Sequence, residues 1–177
     1  MALVAFVVNR TLLRDPRRFL LRCRVSAADR GWEPWFGPAG VAQDSLALTR
    51  RAVAAGASLV FAAGGDGTVR ACAEALAGTG VPLAIVPLGT ANLTARALGV
   101  PSRSGRAVEA GFGGRDRAID LGHVTLADGG MSFTAISERL SLSPGATSRL
   151  LQTLASRGYV DQDPRTKLYE LGLKFLE

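Results

Sequence analysis

Short apolar runs that each pass, within a few residues, into a helix-patterned stretch constrain this chain more than any other feature. LVAFVV (3–8), ASLVFAA (57–63) and PLAIVPL (82–88) are nearly continuous in apolar residues, the pattern of strands buried on both faces. After the first run, Asp15 stands as helix cap, Pro16 at the first helical position and Gly31 as stop, framing a helix over RDPRRFLLRCRVSAADRG. WEPWF reads as a short strand and AQDSLALTRRAVAAG as a helix ended by Gly56. Further helices are expected over about 68–77, over NLTARALG and over RAVEAGFG, and RAIDLGHVTLAD reads as an extended pair. This βαβα order predicts an α/β fold, a mostly parallel sheet with helices on both faces.

Composition narrows the class. Hydrophobic residues make up 47% and charged residues 20%, a globular balance. No apolar run approaches the roughly 18 to 20 residues of a membrane span, and MALVAFVVN lacks the basic start and cleavage site of a secretion signal. A cytoplasmic protein is expected. Cys23 and Cys72 form no CxxC, and His123 is the single histidine, so neither zinc nor a disulfide framework is suggested and both thiols are expected in the core. His123 itself reads as a strand residue. The net charge of +6 suits a phosphate-bearing partner without choosing among nucleotide, nucleic acid and anionic bilayer.

The texture changes at Gly129-Gly130. Six serines fall in residues 131–177 against five before them, both lysines lie there, and glycine drops from 18 to 3. Two domains follow, 1–130 and 131–177, joined by the glycine pair.

The loop in SLVFAAGGDGTVRACAEALAG joins a buried strand to a helix start, where unpaired N–H groups and the positive helix end suit phosphate. Gly64, Gly65 and Gly67 let backbone approach a bulky anion. Asp66 would repel a naked polyphosphate, and a divalent cation held by its carboxylate resolves the conflict. No GK[ST] follows, and Arg70 occupies the third glycine position of a dinucleotide fingerprint, so neither of those motifs applies. An ordinary tight turn would carry the same glycines. A second loop in LAIVPLGTANLTARALGVP repeats the pattern with Gly89, Thr90 and Asn92, although Asn92 would also serve as a plain helix cap. Two such loops at neighbouring strand ends would form a crevice.

GGDGTVRACAEALAGTGVPLAIVPLGTANLTARALGVP is similar to the catalytic-domain signature of the diacylglycerol kinase family, and the likeness extends over residues 1 to about 128. The resemblance implies ATP and Mg²⁺, a lipid acceptor at a membrane surface, and a lobe like those of phosphofructokinase and NAD kinase. It implies that Gly65, Asp66, Gly67, Thr68, Val69, Arg70 and Ala71 wrap the ATP phosphates beside Gly64, that Asp66 is the catalytic and metal-binding carboxylate, and that Thr90 contacts the nucleotide. The resemblance also implies Asn9 as a candidate nucleotide contact, with Asn9-Arg10 standing where the family carries Asn-Pro. FGPAG replaces a threonine of the family, and Ala91 and Leu93 stand at positions of glycine and often aspartate. Family members continue past AIDLGHVTLADGG into a second lobe that supplies a base, which this stretch does not. Nucleotide binding with little turnover is therefore expected.

In FTAISERLSLSPGATSRLLQTLASRGYVDQDPRTKLYELG, Ile136 and Leu140 share a helical face. Ser143 caps and Pro144 opens a second helix with Leu150, Leu151 and Leu154 inward, and Gly158 stops it. Ser148, Arg149 and Gln152 then face outward, and a hairpin follows with Arg165 and Lys167 at its tip. This describes a helix-turn-helix or an ordinary amphipathic helix pair. The segment resembles the winged helix-turn-helix of IclR-type regulators over residues 132 to about 176, with Ser137, Ser141 and Thr147 in place of the usual alanine, glycine and aliphatic residue. That likeness implies double-stranded DNA as partner and a homodimer, with the family's first helix and effector domain missing. Three functions stay open: a lipid-kinase-like nucleotide binder, an IclR-type DNA-binding regulator, and a non-functional chimera of the two.

Overall fold

Runs of alternating inward residues on two sheet faces need helices on both sides, and the fold supplies them. A computed structural model describes residues 1–40, 42–119 and 130–171, and contacts divide the chain into two compact units, Met1–Leu121 and Gly122–Glu177. The first unit runs β1 (Ala2–Asn9), a 3-10 turn (Arg10–Leu12), α1 (Pro16–Ala28), β2 (Trp32–Ala39), α2 (Ala42–Ala54), β3 (Ala57–Gly64), α3 (Asp66–Leu76), β4 (Leu83–Pro87), α4 (Leu93–Ala97) and α5 (Ser104–Gly113). The strand order is β2-β1-β3-β4, and every pairing is parallel.

The chain steps outward from β1 to β2 and then back across to β3. Right-handed crossovers therefore place α1 on one face and α2 and α3 on the other. The cores follow this split. Val4, Phe6 and Val8 of β1 and Phe61 of β3 pack under Phe19, Cys23 and Ala27 of α1 and Val108 of α5. The alternate residues Ala5, Val7, Val60 and Ala62 face Ala52 of α2, Val69 and Cys72 of α3, and Ala95 of α4. Phe6 stacks on Phe61 with ring centroids 4.8 Å apart, and Phe112 leans on Phe61 at 4.9 Å. Burial pushes the Cys23 thiol up to about 12 and the Cys72 thiol to about 11, so both are inert core groups, as the sequence suggests.

The α1 helix has the expected frame: Asp15 accepts from the Arg18 N–H at 2.9 Å, Pro16 opens the helix, and Gly31 follows at φ +72°. β2 runs three residues past WEPWF. It is an edge strand, where alternate N–H groups point away from the sheet, and Pro34 and Pro38 share one such set. α3 begins two residues earlier than expected, at Asp66.

Ser26 and Arg30 both donate to the Glu109 carboxylate, at 2.7 and 2.5 Å, clasping the end of α1 to α5. The Ser26 hydroxyl first, then Arg30, holds the Glu109 carboxyl below its ordinary 4.5. A depressed carboxylate stabilises the fold above its unfolded value and loses that contribution as pH falls through the folded one. Glu109→Gln is thus expected to cost under about 1 kcal/mol at neutral pH, because the pair is well exposed. The difference between parent and variant should close as pH drops below 4.5, read by urea unfolding at several pH values. A constant difference would remove the charge from the account.

The second unit contains α6 (Phe133–Leu140), α7 (Pro144–Ser156), β5 (Val160–Gln162) and β6 (Tyr169–Leu171). Ser132 and Ser143 cap the two helices through their side chains, Pro144 opens α7, and Gly158 follows it at φ +72°. Met131, Ile136, Leu151 and Val160 form the core, with Leu140 and Leu154 half-buried against it. Leu150, expected inward, is half-buried outside that cluster. β5 and β6 pair antiparallel, and Met131 adds a bridge to Tyr169 that gives the hairpin a third partner. The extended pair expected at RAIDLGHVTLAD, including His123, lies mostly outside the described residues.

The two helices meet at a tight turn in which Ser141 sits at φ +52°, the left-handed region that glycine enters without cost. Ser137 and Thr147 form a compensating pair: the Ser137 hydroxyl donates to Thr147 Oγ1 at 3.0 Å, and Thr147 is fully buried. Removing the Ser137 hydroxyl takes a donor from the buried Thr147 oxygen, which still donates to the Ser143 carbonyl at 3.2 Å, whereas removing both hydroxyls leaves an apolar contact. A double-mutant cycle over Ser137→Ala and Thr147→Val is expected to show about 0.5–1 kcal/mol of coupling, with the double variant more stable than additivity predicts. Additive losses in denaturant unfolding would contradict this.

Candidate functional site

The parallel sheet brings the C-terminal ends of β1, β3 and β4 side by side, with Gly64 paired to Pro87. The order reverses between β1 and β3, the point where open α/β sheets leave a crevice. Asn9, Gly64 and Pro87 are the last residues of those strands.

Of the three glycines around Asp66, Gly64 closes β3, Gly65 caps α3, and Gly67 lies in its first turn. Gly64 is required because the Thr68 side chain fills the space a Cβ would take. The two loops touch: a Cβ on Gly89 would stand 2.7 Å from the Gly65 Cα, and the Leu88 N–H donates to the Gly64 carbonyl at 2.9 Å. The first intrahelical bond of α3 is Val69 N–H to the Gly65 carbonyl, at 3.1 Å. The N–H groups of Gly65, Asp66, Gly67 and Thr68 precede it, and no side chain caps them.

Asp66 has a structural task that its sequence position does not reveal. Its Oδ2 accepts from the Leu93 N–H and its Oδ1 from the Thr94 N–H, both at 3.0 Å. The carboxylate thereby caps α4 from the first residue of α3. Asn92, the residue at the cap position of α4, makes no cap bond and lies at φ +47°. Its side chain instead closes the second loop, Oδ1 accepting from the Gly89 N–H at 3.0 Å and Nδ2 donating to the Gly89 carbonyl at 2.6 Å.

The other candidates divide by exposure. Arg70 and Thr90 are exposed beside the crevice elements, and Asp66 is half-buried. Thr68, Val69 and Ala71 turn their side chains into the core, and Val69 already spends its N–H on Gly65. The helical period sends these three side chains inward, so within Gly65 to Ala71 they present backbone rather than side chains at the start of α3. Asn9 accepts from the Thr11 N–H at 3.1 Å and from the Thr11 hydroxyl at 2.7 Å, so its oxygen serves the 3-10 turn.

Among the described residues no group of three or more histidine, cysteine, aspartate or glutamate side chains is placed to hold a metal ion. Asp66 is a lone carboxylate, half-buried beside uncapped N–H groups. That donor set fits Mg²⁺ carried in with phosphates, which keeps waters and takes one or two carboxylates.

On the second unit, Arg149 and Gln152 are exposed on α7 and Ser148 is half-buried, on the side away from Thr147 and Leu151. Arg165 and Lys167 are exposed in the turn between β5 and β6. Asp163 organises that turn by accepting from the Arg165 and Thr166 N–H groups, at 2.6 and 3.0 Å, and those bonds, Thr166 first, hold its carboxyl below the ordinary value.

Fold and crevice together define an α/β lobe with helices on both faces and a loop-built site at its strand tips. Residues 7–124 match the model of the diacylglycerol kinase catalytic domain, and the chain belongs to that family. Residues 116–164 match the IclR helix-turn-helix domain, beginning ahead of the 132 expected from sequence. A "Probable lipid kinase YegS-like" of Pseudomonas fluorescens is 44% identical over 105 residues, covering 58% of this chain and 33% of the relative. A "Diacylglycerol kinase" of Mycobacterium tuberculosis is 41% identical over 86 residues, covering 48% of this chain and 28% of the relative. The chain thus spans about a third of the length of these relatives. A solved structure titled "A putative diacylglycerol kinase from Bacillus anthracis str. Sterne" aligns with TM-score 0.50 at 27% identity, over 61% of this chain and 39% of that one.

Proposed function

We propose that the first unit binds Mg-ATP in the crevice between the Gly65 and Gly89 loops, as a lobe of a lipid kinase. The observation that carries this reading is the contact of the two loops across Asp66: uncapped N–H groups of α3 and a half-buried carboxylate share one small volume. N–H groups of Gly65, Asp66, Gly67 and Thr68 would hold phosphate oxygens, aided by the positive end of α3. Arg70 adds a charge from the next turn, and Thr90 and Asn9 flank the crevice from the neighbouring strand ends. Each Asp66 oxygen accepts one N–H and keeps further acceptor capacity, which would serve a metal-bound water. When bound, Mg²⁺ would neutralise charge developing on the transferred phosphoryl group. Transfer to a lipid hydroxyl needs an acceptor and a base held from the facing side. For the described lobe by itself the expected outcome is therefore nucleotide binding with acceptor phosphorylation near background. Incubation with labelled ATP, Mg²⁺ and diacylglycerol in mixed micelles tests it, and robust labelled lipid would show that the described lobe suffices.

The IclR match and the exposed Arg149 and Gln152, with Ser148 half-buried beside them, favour a second reading, double-stranded DNA binding by α7, with Arg165 and Lys167 on the backbone and a homodimer as the binding form. Affinity should fall steeply with salt. A tight complex insensitive to salt, or one unaffected by Arg149→Ala with Gln152→Ala, would exclude it. A chimera with neither function would fail both assays, and reading the source DNA through codons 129–131 tests whether the junction is genomic.

A further inference from the structure

Asn92 holds a backbone conformation that few residue types accept. It lies at φ +47° and ψ +48°, in the left-handed region that asparagine enters more readily than most residues with a side chain. Both polar atoms of its side chain are engaged by Gly89, Oδ1 accepting from the N–H at 3.0 Å and Nδ2 donating to the carbonyl at 2.6 Å. An amide suits this clasp because one end accepts while the other donates.

The same backbone decides where Asp66 is held. A cap residue in the extended region turns its own side chain over the first N–H groups of its helix. The left-handed turn at Asn92 carries the side chain back to Gly89 instead, and leaves the Leu93 and Thr94 N–H groups to the Asp66 carboxylate, each at 3.0 Å. Among the described residues no other hydrogen-bond donor holds Asp66. The clasp also shapes the second loop, because Gly89 packs against the Gly65 Cα and Thr90, exposed, follows it directly.

We propose that Asn92 is a positioning residue for the metal and the triphosphate rather than a contact to either: its backbone sets Asp66, and its side chain sets the Gly89 loop. The inference rests on the Mg-ATP reading and assigns Asn92 a part in it. Two substitutions separate the two tasks. Asn92→Gly keeps the left-handed backbone without strain and removes only the clasp. Asn92→Ala removes the clasp and strains the backbone as well.

Amide exchange of the nucleotide-free protein reads the geometry. In Asn92→Gly the Gly89 amide should exchange about tenfold faster while Leu93 and Thr94 keep their protection, and in Asn92→Ala all three should exchange faster. Calorimetric titration of ATP in Mg²⁺ and in EDTA reads the consequence. Asn92→Gly should lose about threefold in affinity, as for one or two hydrogen bonds, and keep the parent's Mg²⁺ dependence. Asn92→Ala should lose about tenfold and bind alike in both. A role confined to stability would lower the unfolding midpoint and leave the ratio of affinities in Mg²⁺ and EDTA at the parent's value, and that result in Asn92→Ala would overturn the proposal. Should Asn92→Ala not fold, Asn92→Gly decides, since parental affinity with an unprotected Gly89 amide would overturn it equally. A parent that binds no Mg-ATP would overturn the nucleotide reading itself, and the proposal with it.

Discussion

Gly89→Val is expected to lower stability by about 2–4 kcal/mol and to abolish nucleotide binding together. The Gly89 backbone needs no special φ. The constraint is the Gly65 Cα, 2.7 Å from where a Cβ would stand, with Asn92 Oδ1 at 3.1 Å on the other side. Neither is the tip of a flexible chain: one is backbone, and the other is bonded to the Gly89 N–H. The variant must therefore push the loops apart, stretching the bonds from Asp66 to Leu93 and Thr94 and separating the two halves of the proposed phosphate cradle. Gly89→Ala should do the same more weakly. Urea unfolding and ATP titration of the same samples check it. A valine variant with the parent's midpoint and affinity would show that the loops part without consequence.

Ile136→Ala is expected to unfold the second unit selectively. Deleting such a side chain costs about 2–5 kcal/mol, and this core has four buried members, of which Ile136 is the most enclosed at 1% exposure. Small cores have little margin against a loss of that size. Amide exchange in α6, α7 and the hairpin should rise toward that of an unprotected chain, while amides of β1 and β3 keep their protection. Protected exchange throughout α7 would mean that contacts beyond the four-residue core hold the unit.

Local chemistry made most of the fold legible. The caps at Asp15, Ser143 and Pro144 and the stops at Gly31, Gly56 and Gly158 act within one turn of their own sequence, and each stands where the pattern puts it. The adjoining strand tips were legible for a related reason, since two apolar runs separated by a single helix become neighbours in a parallel sheet. Long-range partners were not. Nothing near Asp66 in sequence says that its oxygens meet Leu93 and Thr94, so the sequence reading offers a metal ligand and gives no sign of the carboxylate that joins two loops. Asn92 reads as a cap because capping is local, while its left-handed backbone redirects the side chain to Gly89. The strand read at WEPWF runs on through Gly37 and Pro38 to Ala39, which an edge position tolerates, and edge position is a property of the sheet. Ser137 and Thr147 each looked like a departure from their family, and only packing shows that they answer one another.

The central claim is that Asp66 both ties the loops and receives a metal-bound nucleotide. The direct measurement is calorimetric titration of ATP into the parent and Asp66→Asn, each in Mg²⁺ and in EDTA. Asparagine keeps one oxygen to cap α4 but lacks the charge for a cation. The parent should bind in Mg²⁺ and lose at least about tenfold in EDTA, while the variant, folded by circular dichroism, should bind weakly and alike in both. Equal Mg²⁺-dependent affinity in parent and variant would contradict the account.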